Sequence, residues 1–369
     1  MWKEGCICKW CFAGIYSCME AVMEEDRKKI CSNTDVIKKE RLWQEVYAGT
    51  YTSEKSKGVY RFLFNRENAE MTEPELFYEA GNAKWVSLSG DMLAFPVEKE
   101  GRAGTCFVSL KDKAAKRVGE ILEEKDTPCF ILQDGEFTYT ANYHDGTVMV
   151  YHMGKDGPVI AGRIENGREA GCHQVIVHGA YIMVPCLTQH VIRLFDRRNG
   201  FRTAGTIQFP DGSGPRHGVF DHSHSKLYVV SEWSNELFIF DVQDNTFLLR
   251  QQLSVLPAKT AGDENKQKAS AAAVRLAEDE RFLYISVRGL NLLTVVDVSG
   301  RKAAVLEHVS SGGEHPRDFV LTGEGGHLLV ANRFSGGIVS MKRNRESGRI
   351  TGIQSRIRMP EGVSLVIRQ

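Results

Sequence analysis

Six charged or titratable residues stand where apolar β-forming runs begin or end, positions that a strand ordinarily fills with Val, Ile or Tyr: His173, Arg216 and Arg317 open such runs, and Glu232, Arg288 and Arg333 close them. Arg275 lies near the first of these registers. Arg216 to Glu232 and Arg317 to Arg333 are both separated by 16 residues, as expected of equivalent places in a repeat. Guanidinium forks suit a phosphate, a carboxylate or an oxyanion. A carboxylate beside an arginine stays ionised and can serve as a base, and an imidazole exchanges protons near neutral pH. The set therefore predicts an anion-binding pocket. The competing reading is a solvated channel mouth in which Arg216 and Glu232 form a structural ion pair, worth little if exposed.

These residues need elements that bring them to one place. From Val46 onward the chain reads as short β-rich runs separated by Gly, Asp, Ser and His turns. The residues ending the second run of each unit are Thr50, Val97, Tyr143, Cys186, Glu232, Arg288 and Arg333, at spacings of 47, 46, 43, 46, 56 and 45. The one long spacing contains a polar insertion between Pro257 and Ala273. A period of about 45 residues, with alternating apolar patterning, predicts an all-β, seven-bladed β-propeller with four-stranded blades over residues 46–369. The opening run at Val46 is expected to pair with the closing run Val363–Ile367 and so remove exposed strand edges. In a blade the first two strands form a hairpin beside the channel, so the start of one and the end of the other share a mouth. That geometry gathers these charges on one rim.

Composition narrows the partners. Lys+Arg and Asp+Glu both number 47, so no global field exists to hold nucleic acid or an anionic membrane, and neither is expected as a partner. Five of the nine cysteines fall within the first 31 residues, as Cys6, Cys8, Cys11, Cys18 and Cys31. Thiolates this close could share a soft metal ion. The stretch from Ile7 to Val22, interrupted by Lys9 and Glu20, is too short to span a bilayer and lacks the features of a secretory signal. Residues 1–45 are read as an extension, poorly ordered or helical, and the propeller as a reduced, cytoplasmic protein. GxSxG, P-loop, HExxH and Rossmann glycine patterns are absent, and no metal or other cofactor is expected in the propeller. Oligomeric state is not legible.

Several motifs in blade order carry a family resemblance. "YAGTYT" at Tyr47 with "GVYRF" at Gly58 resembles the start of the lactonase β-propeller family, which includes bacterial 6-phosphogluconolactonases and a fungal 3-carboxymuconate lactonising enzyme. "NYHDG" at Asn142, "HQV" at His173, "GSGPRH" at Gly212, "YVVSE" at Tyr228, "GGEHPRDF" at Gly312, "LLVANR" at Leu328 and "ESGRITGI" at Glu346 extend the match over residues 46–369. The resemblance implies a catalytic cluster of His173, Arg216, Glu232 and Arg288, all on the rim that the repeat selects. It leaves His217, His315, Arg317 and Arg333 as substrate-binding candidates for an anionic lactone. It implies hydrolysis of a sugar-acid lactone, 6-phosphogluconolactone foremost: Glu232 activating water, His173 as acid/base partner, and Arg216 and Arg288 on phosphate or oxyanion. Two departures stand out. Cys186-Leu187-Thr188 replaces the family's Asp-Leu-Gly, and Cys129-Phe130-Ile131 replaces Cys-His-Val. Cys186 is thereby a rim thiol, read as buried and inert in preference to a nucleophile. Alternatives left open are a non-catalytic propeller that binds an anionic ligand or a protein partner, and an enzyme for another sugar-acid or muconate-type lactone.

Overall fold

The computed structural model describes residues 42–111, 115–258 and 268–368. Among them the strands form seven four-stranded sheets, each antiparallel from its inner to its outer edge. Blade one takes its innermost strand, Gly362–Ile367, from the end of the chain and its other three, Trp43–Thr50, Gly58–Asn65 and Glu75–Glu79, from the beginning. Val46 lies opposite Ile367 and Thr50 opposite Gly362, so the expected ring closure is present. The first strand starts at Trp43, ahead of the expected boundary at residue 46. The cysteine-rich stretch, with its metal reading, lies outside the described residues.

Blades two to seven follow in chain order, with innermost strands Ser87–Ser89, Phe130–Asp134, Ile176–His178, Pro215–Phe220, Ser270–Leu276 and Glu314–Leu321. Second strands such as Tyr181–Cys186 and Lys226–Ser231 are buried over nearly their whole length, because a neighbouring blade covers each face. Their residues are accordingly apolar in unbroken runs. Outermost strands such as Thr246–Ser254 alternate between exposed and half-buried positions.

The core is divided among the blade interfaces. One apolar cluster joins Phe107 of blade two to Tyr139 and Val150 of blade three and Val184 of blade four; another joins Val230 and Ile239 of blade five to Ile285 and Val287 of blade six. A third joins Leu329 and Ile338 of blade seven to Val46 and Phe62 of blade one. The ring is thus held by side-by-side blade packing, which leaves the inner strand ends free to carry polar groups.

Candidate active site

At one mouth the innermost strands depart from regular pairing. In blade five Pro215 faces Ser231 and His217 faces Val230, so Arg216 is an extra residue in a bulge. Blade seven repeats the device: Pro316 faces Asn332 and Asp318 faces Ala331, leaving Arg317 as the extra residue. In blade one Gly49 faces Ser364 and Thr50 faces Gly362, which leaves Val363. A bulge bends the strand and re-aims a side chain, and here two of them turn arginines inward.

Glu232 follows the second strand of blade five, where its N–H donates to the Gly214 carbonyl at 2.7 Å. Gly214 has φ +69°, and a Cβ there would meet the Trp233 ring at about 3.1 Å, so the close return of the chain requires glycine. Arg216 Nε donates to Glu232 Oε2 at 2.8 Å, and Arg288 Nη2 lies 3.0 Å from the same oxygen. Arg216 is only 1% exposed and also donates through Nη1 to the Ala272 carbonyl at 2.5 Å. Burial acts to raise the Glu232 pKa, but the charges of Arg288 and Arg216 outweigh it and hold the carboxyl below its ordinary value. Burial and Arg288 press the Arg216 pKa down while Glu232 supports it; the ion pair keeps this guanidinium charged.

His173 lies ahead of the short innermost strand of blade four, its N–H donating to the Pro185 carbonyl at 3.1 Å. Its ring meets His217 and Tyr143 edge-on, and its buried Nδ1 has no partner. Burial, then the fields of Arg216 and Arg317, push its pKa well below 6.5. His217 is fully buried against Trp85, Phe130 and His173 and is lowered in the same way. Both imidazoles are therefore neutral at ordinary pH.

A cavity of about 180 Å³ opens onto this group, lined by His173, Glu232, Arg288 and Arg317 together with Tyr51, Lys84, Tyr143, Cys129, Asp126, Thr127 and His144. Four sequence candidates thus line one pocket, and Arg216 stands directly behind Glu232. His217, His315 and Arg333 lie outside the lining. Arg333 is paired with Glu361 at 2.7 Å and packs over the Tyr51 ring, while His315 lies beside Phe334 with its pKa lowered to about 3 by burial and the surrounding arginines. Arg275 is not at this rim: it pairs with Tyr284 near the other end of its strand and binds Asp318 at 2.6 Å. Cys186 is likewise off the lining, fully buried with Sγ 3.5 Å from Asn166 Oδ1, in keeping with an inert thiol. A larger cleft of about 310 Å³ between blades five and six, lined by Asp241, Arg250 and Arg301 among others, has no comparable buried ion pair.

Repeat counting missed Tyr51 and Lys84. Thr50, the residue at the repeat register, is buried, its Oγ1 donating to the Gly58 carbonyl at 2.6 Å and accepting from Ser56 Oγ at 2.6 Å. Thr50 faces Gly362 as Ser231 faces Pro215, and the N–H of Tyr51 donates to the Glu361 carbonyl as that of Glu232 does to Gly214, so the counterpart of Glu232 in blade one is Tyr51, not Thr50. The signal was present in "YAGTYT", one position further on. Lys84 comes from the connection between blades one and two, which follows no strand register.

The chain is 28% identical over 341 residues to the 6-phosphogluconolactonase of Bacillus subtilis, an alignment covering 85% of this chain and 95% of that protein. Its fold superposes on a Lactobacillus plantarum protein with a TM-score of 0.81 at 22% identity, covering 88% and 99% of the two chains. It also superposes on the periplasmic gluconolactonase of Pseudomonas aeruginosa with a TM-score of 0.79 at 21% identity, covering 88% and 99%. The family model described as "Lactonase, 7-bladed beta-propeller" matches residues 45–367. With that match running nearly the whole length of the ring, the chain belongs to the seven-bladed β-propeller lactonase family.

Proposed function

We propose that this chain hydrolyses the lactone of an anionic sugar acid, with 6-phospho-D-glucono-1,5-lactone as the foremost substrate, and that it does so in the cytoplasm, a compartment that suits its four free, buried cysteines among the described residues. The observation that carries the reading is Glu232: an ionised carboxylate inside a cationic pocket, with Oε2 held by Arg216 and Arg288 and Oε1 accepting no hydrogen bond from a described residue. In this reading Glu232 takes a proton from water through Oε1. The resulting hydroxide attacks the lactone carbonyl, and Arg288 stabilises the tetrahedral oxyanion. Arg317, whose buried Nε has no partner, and Lys84 hold the phosphate. His173, neutral, contributes a hydrogen bond through Nδ1 that orients water or substrate.

The test follows 6-phosphogluconolactone hydrolysis against its spontaneous rate. Glu232→Gln is expected to lower kcat by about 10²–10⁴-fold and Arg288→Ala by about 10²–10³-fold. No rate above the spontaneous one overturns the substrate assignment, and activity unaffected by both changes overturns the site. The non-catalytic reading draws on the double arginine grip, which also suits a structural lock. It would gain from a variant pair that alters stability while the wild type shows no turnover.

A further inference from the structure

Two tyrosines line the pocket, in surroundings of opposite charge. Tyr143 has Glu232 nearby, and burial together with that carboxylate raises its phenol pKa. Tyr51 is surrounded by cations. Arg317 Nη1 donates to its Oη. The guanidinium carbons of Arg333 and Arg317 lie 4.1 and 5.2 Å from the ring centroid, and Lys84 Nζ lies 5.9 Å from it. Burial alone would raise the Tyr51 pKa, but Arg317, Lys84 and Arg333 outweigh it and bring it below 10. Environments that drive like groups apart mark separate acid and base duties.

The geometry also settles which way the phenol's hydrogen can go. Arginine has no acceptor, so in the Arg317 contact the Tyr51 oxygen accepts. Its own O–H is left to donate toward the cavity that Tyr51 lines. Opening a sugar lactone expels an alkoxide, which needs a proton as it leaves. His173 does not carry a spare one, since it is neutral at working pH.

We propose that Tyr51 is the general acid of ring opening, its Oη–H protonating the ring oxygen as the tetrahedral intermediate collapses. The proposal rests on the lactonase reading of the same pocket. Water gives one proton to Glu232 and its hydroxide to the carbonyl carbon. On collapse the bond between that carbon and the ring oxygen breaks, the oxygen takes the Tyr51 proton, and a hydroxyl and a carboxylic acid result. The tyrosinate, held by the Arg317 hydrogen bond and the cations over its ring, is reprotonated from solvent. Glu232 and the product acid release their protons to solvent, so one water is consumed and no oxidant or reductant is required.

The experiment measures kcat and KM for 6-phosphogluconolactone across pH, corrected for spontaneous hydrolysis, in wild type, Tyr51→Phe and Lys84→Met, alongside substrate-free absorbance titration of tyrosinate. Tyr51→Phe is expected to lower kcat by about 100-fold or more with KM little changed. It should also remove both the basic limb of the pH profile and the phenol titration that Tyr51 places below the ordinary tyrosine range. Lys84→Met should retain a basic limb, shifted to higher pH by loss of a cation. If wild type is active and Tyr51→Phe keeps its kcat and basic limb, the Tyr51 assignment falls and the lactonase reading stands. A basic limb lost in Lys84→Met but kept in Tyr51→Phe would make the lysine the acid and overturn the proposal. A wild type no faster than the spontaneous reaction brings down the lactonase reading and the Tyr51 role with it.

Discussion

Arg216 heads the largest fully buried side chains of the described residues, an unusual place for a guanidinium. Its charge is supported by one carboxylate that it shares with Arg288, so its removal acts on stability and site together. Arg216→Met is expected to cost about 3 kcal/mol, at the lower end for breaking a buried pair because Arg288 still partners Glu232. The double change Arg216→Met/Glu232→Gln should recover part of that loss in denaturant unfolding while staying inactive toward the lactone. pH dependence follows from the same contacts. Because the folded Glu232 pKa is depressed, its contribution to stability is present above the ordinary carboxylate value of 4.5 and is lost as pH falls through the lowered one. The acid limb of kcat/KM should therefore lie below 4.5 and disappear in Glu232→Gln.

At the scale of the element, the site depends on strand irregularity. Bulges in blades five and seven turn Arg216 and Arg317 toward the mouth, where regular pairing would have sent alternate residues to the blade faces. The blades themselves are latched by polar contacts. Glu124, at the end of the outermost strand of blade two, accepts from Thr105 Oγ1 at 2.9 Å, and from Thr140 Oγ1 and Tyr151 Oη of blade three at 2.9 and 2.7 Å, with Asn142 as a fourth donor. Glu124→Ala leaves four donors without this acceptor. At about 1–3 kcal/mol per unsatisfied group, a loss of about 4 kcal/mol or more is expected in thermal or denaturant unfolding. Burial raises the Glu124 pKa against those hydrogen bonds. Its stabilisation is thus full below the ordinary carboxylate value and diminishes as pH rises through the raised one, a dependence that Glu124→Ala should remove.

For the whole molecule, closure of the ring is the feature on which stability turns. The last strand supplies Val363 and Leu365 to the core and covers the edge of the first strand from Val46 to Thr50. Arg368 ties the closure to blade two through Asp91 at 2.6 Å and to Glu45 at 2.8 Å. A chain ending at Glu361 should expose that edge and part of an apolar cluster. Loss of cooperative unfolding and association by size-exclusion chromatography are the expected outcomes; a monomer with unchanged melting behaviour would show that closure is dispensable.

The sequence by itself determined the architecture, because a 45-residue period repeats the same burial problem seven times and each repeat solves it with one sheet. It also determined the mouth: His173, Glu232, Arg288 and Arg317 line a single pocket because strand starts and hairpin ends coincide in every blade. Only the tertiary structure decided which charge enters the cavity. Arg275, counted near the right register, lies toward the other end of its strand and binds Asp318 between blades, Arg333 is taken up by Glu361, and the counterpart of Glu232 in blade one is Tyr51, not Thr50. Counting along a strand assumes unbroken alternation, and a bulge changes that alternation without leaving a mark in the repeat length. Whether a cation is free or neutralised depends in turn on a partner that a neighbouring blade or connection supplies.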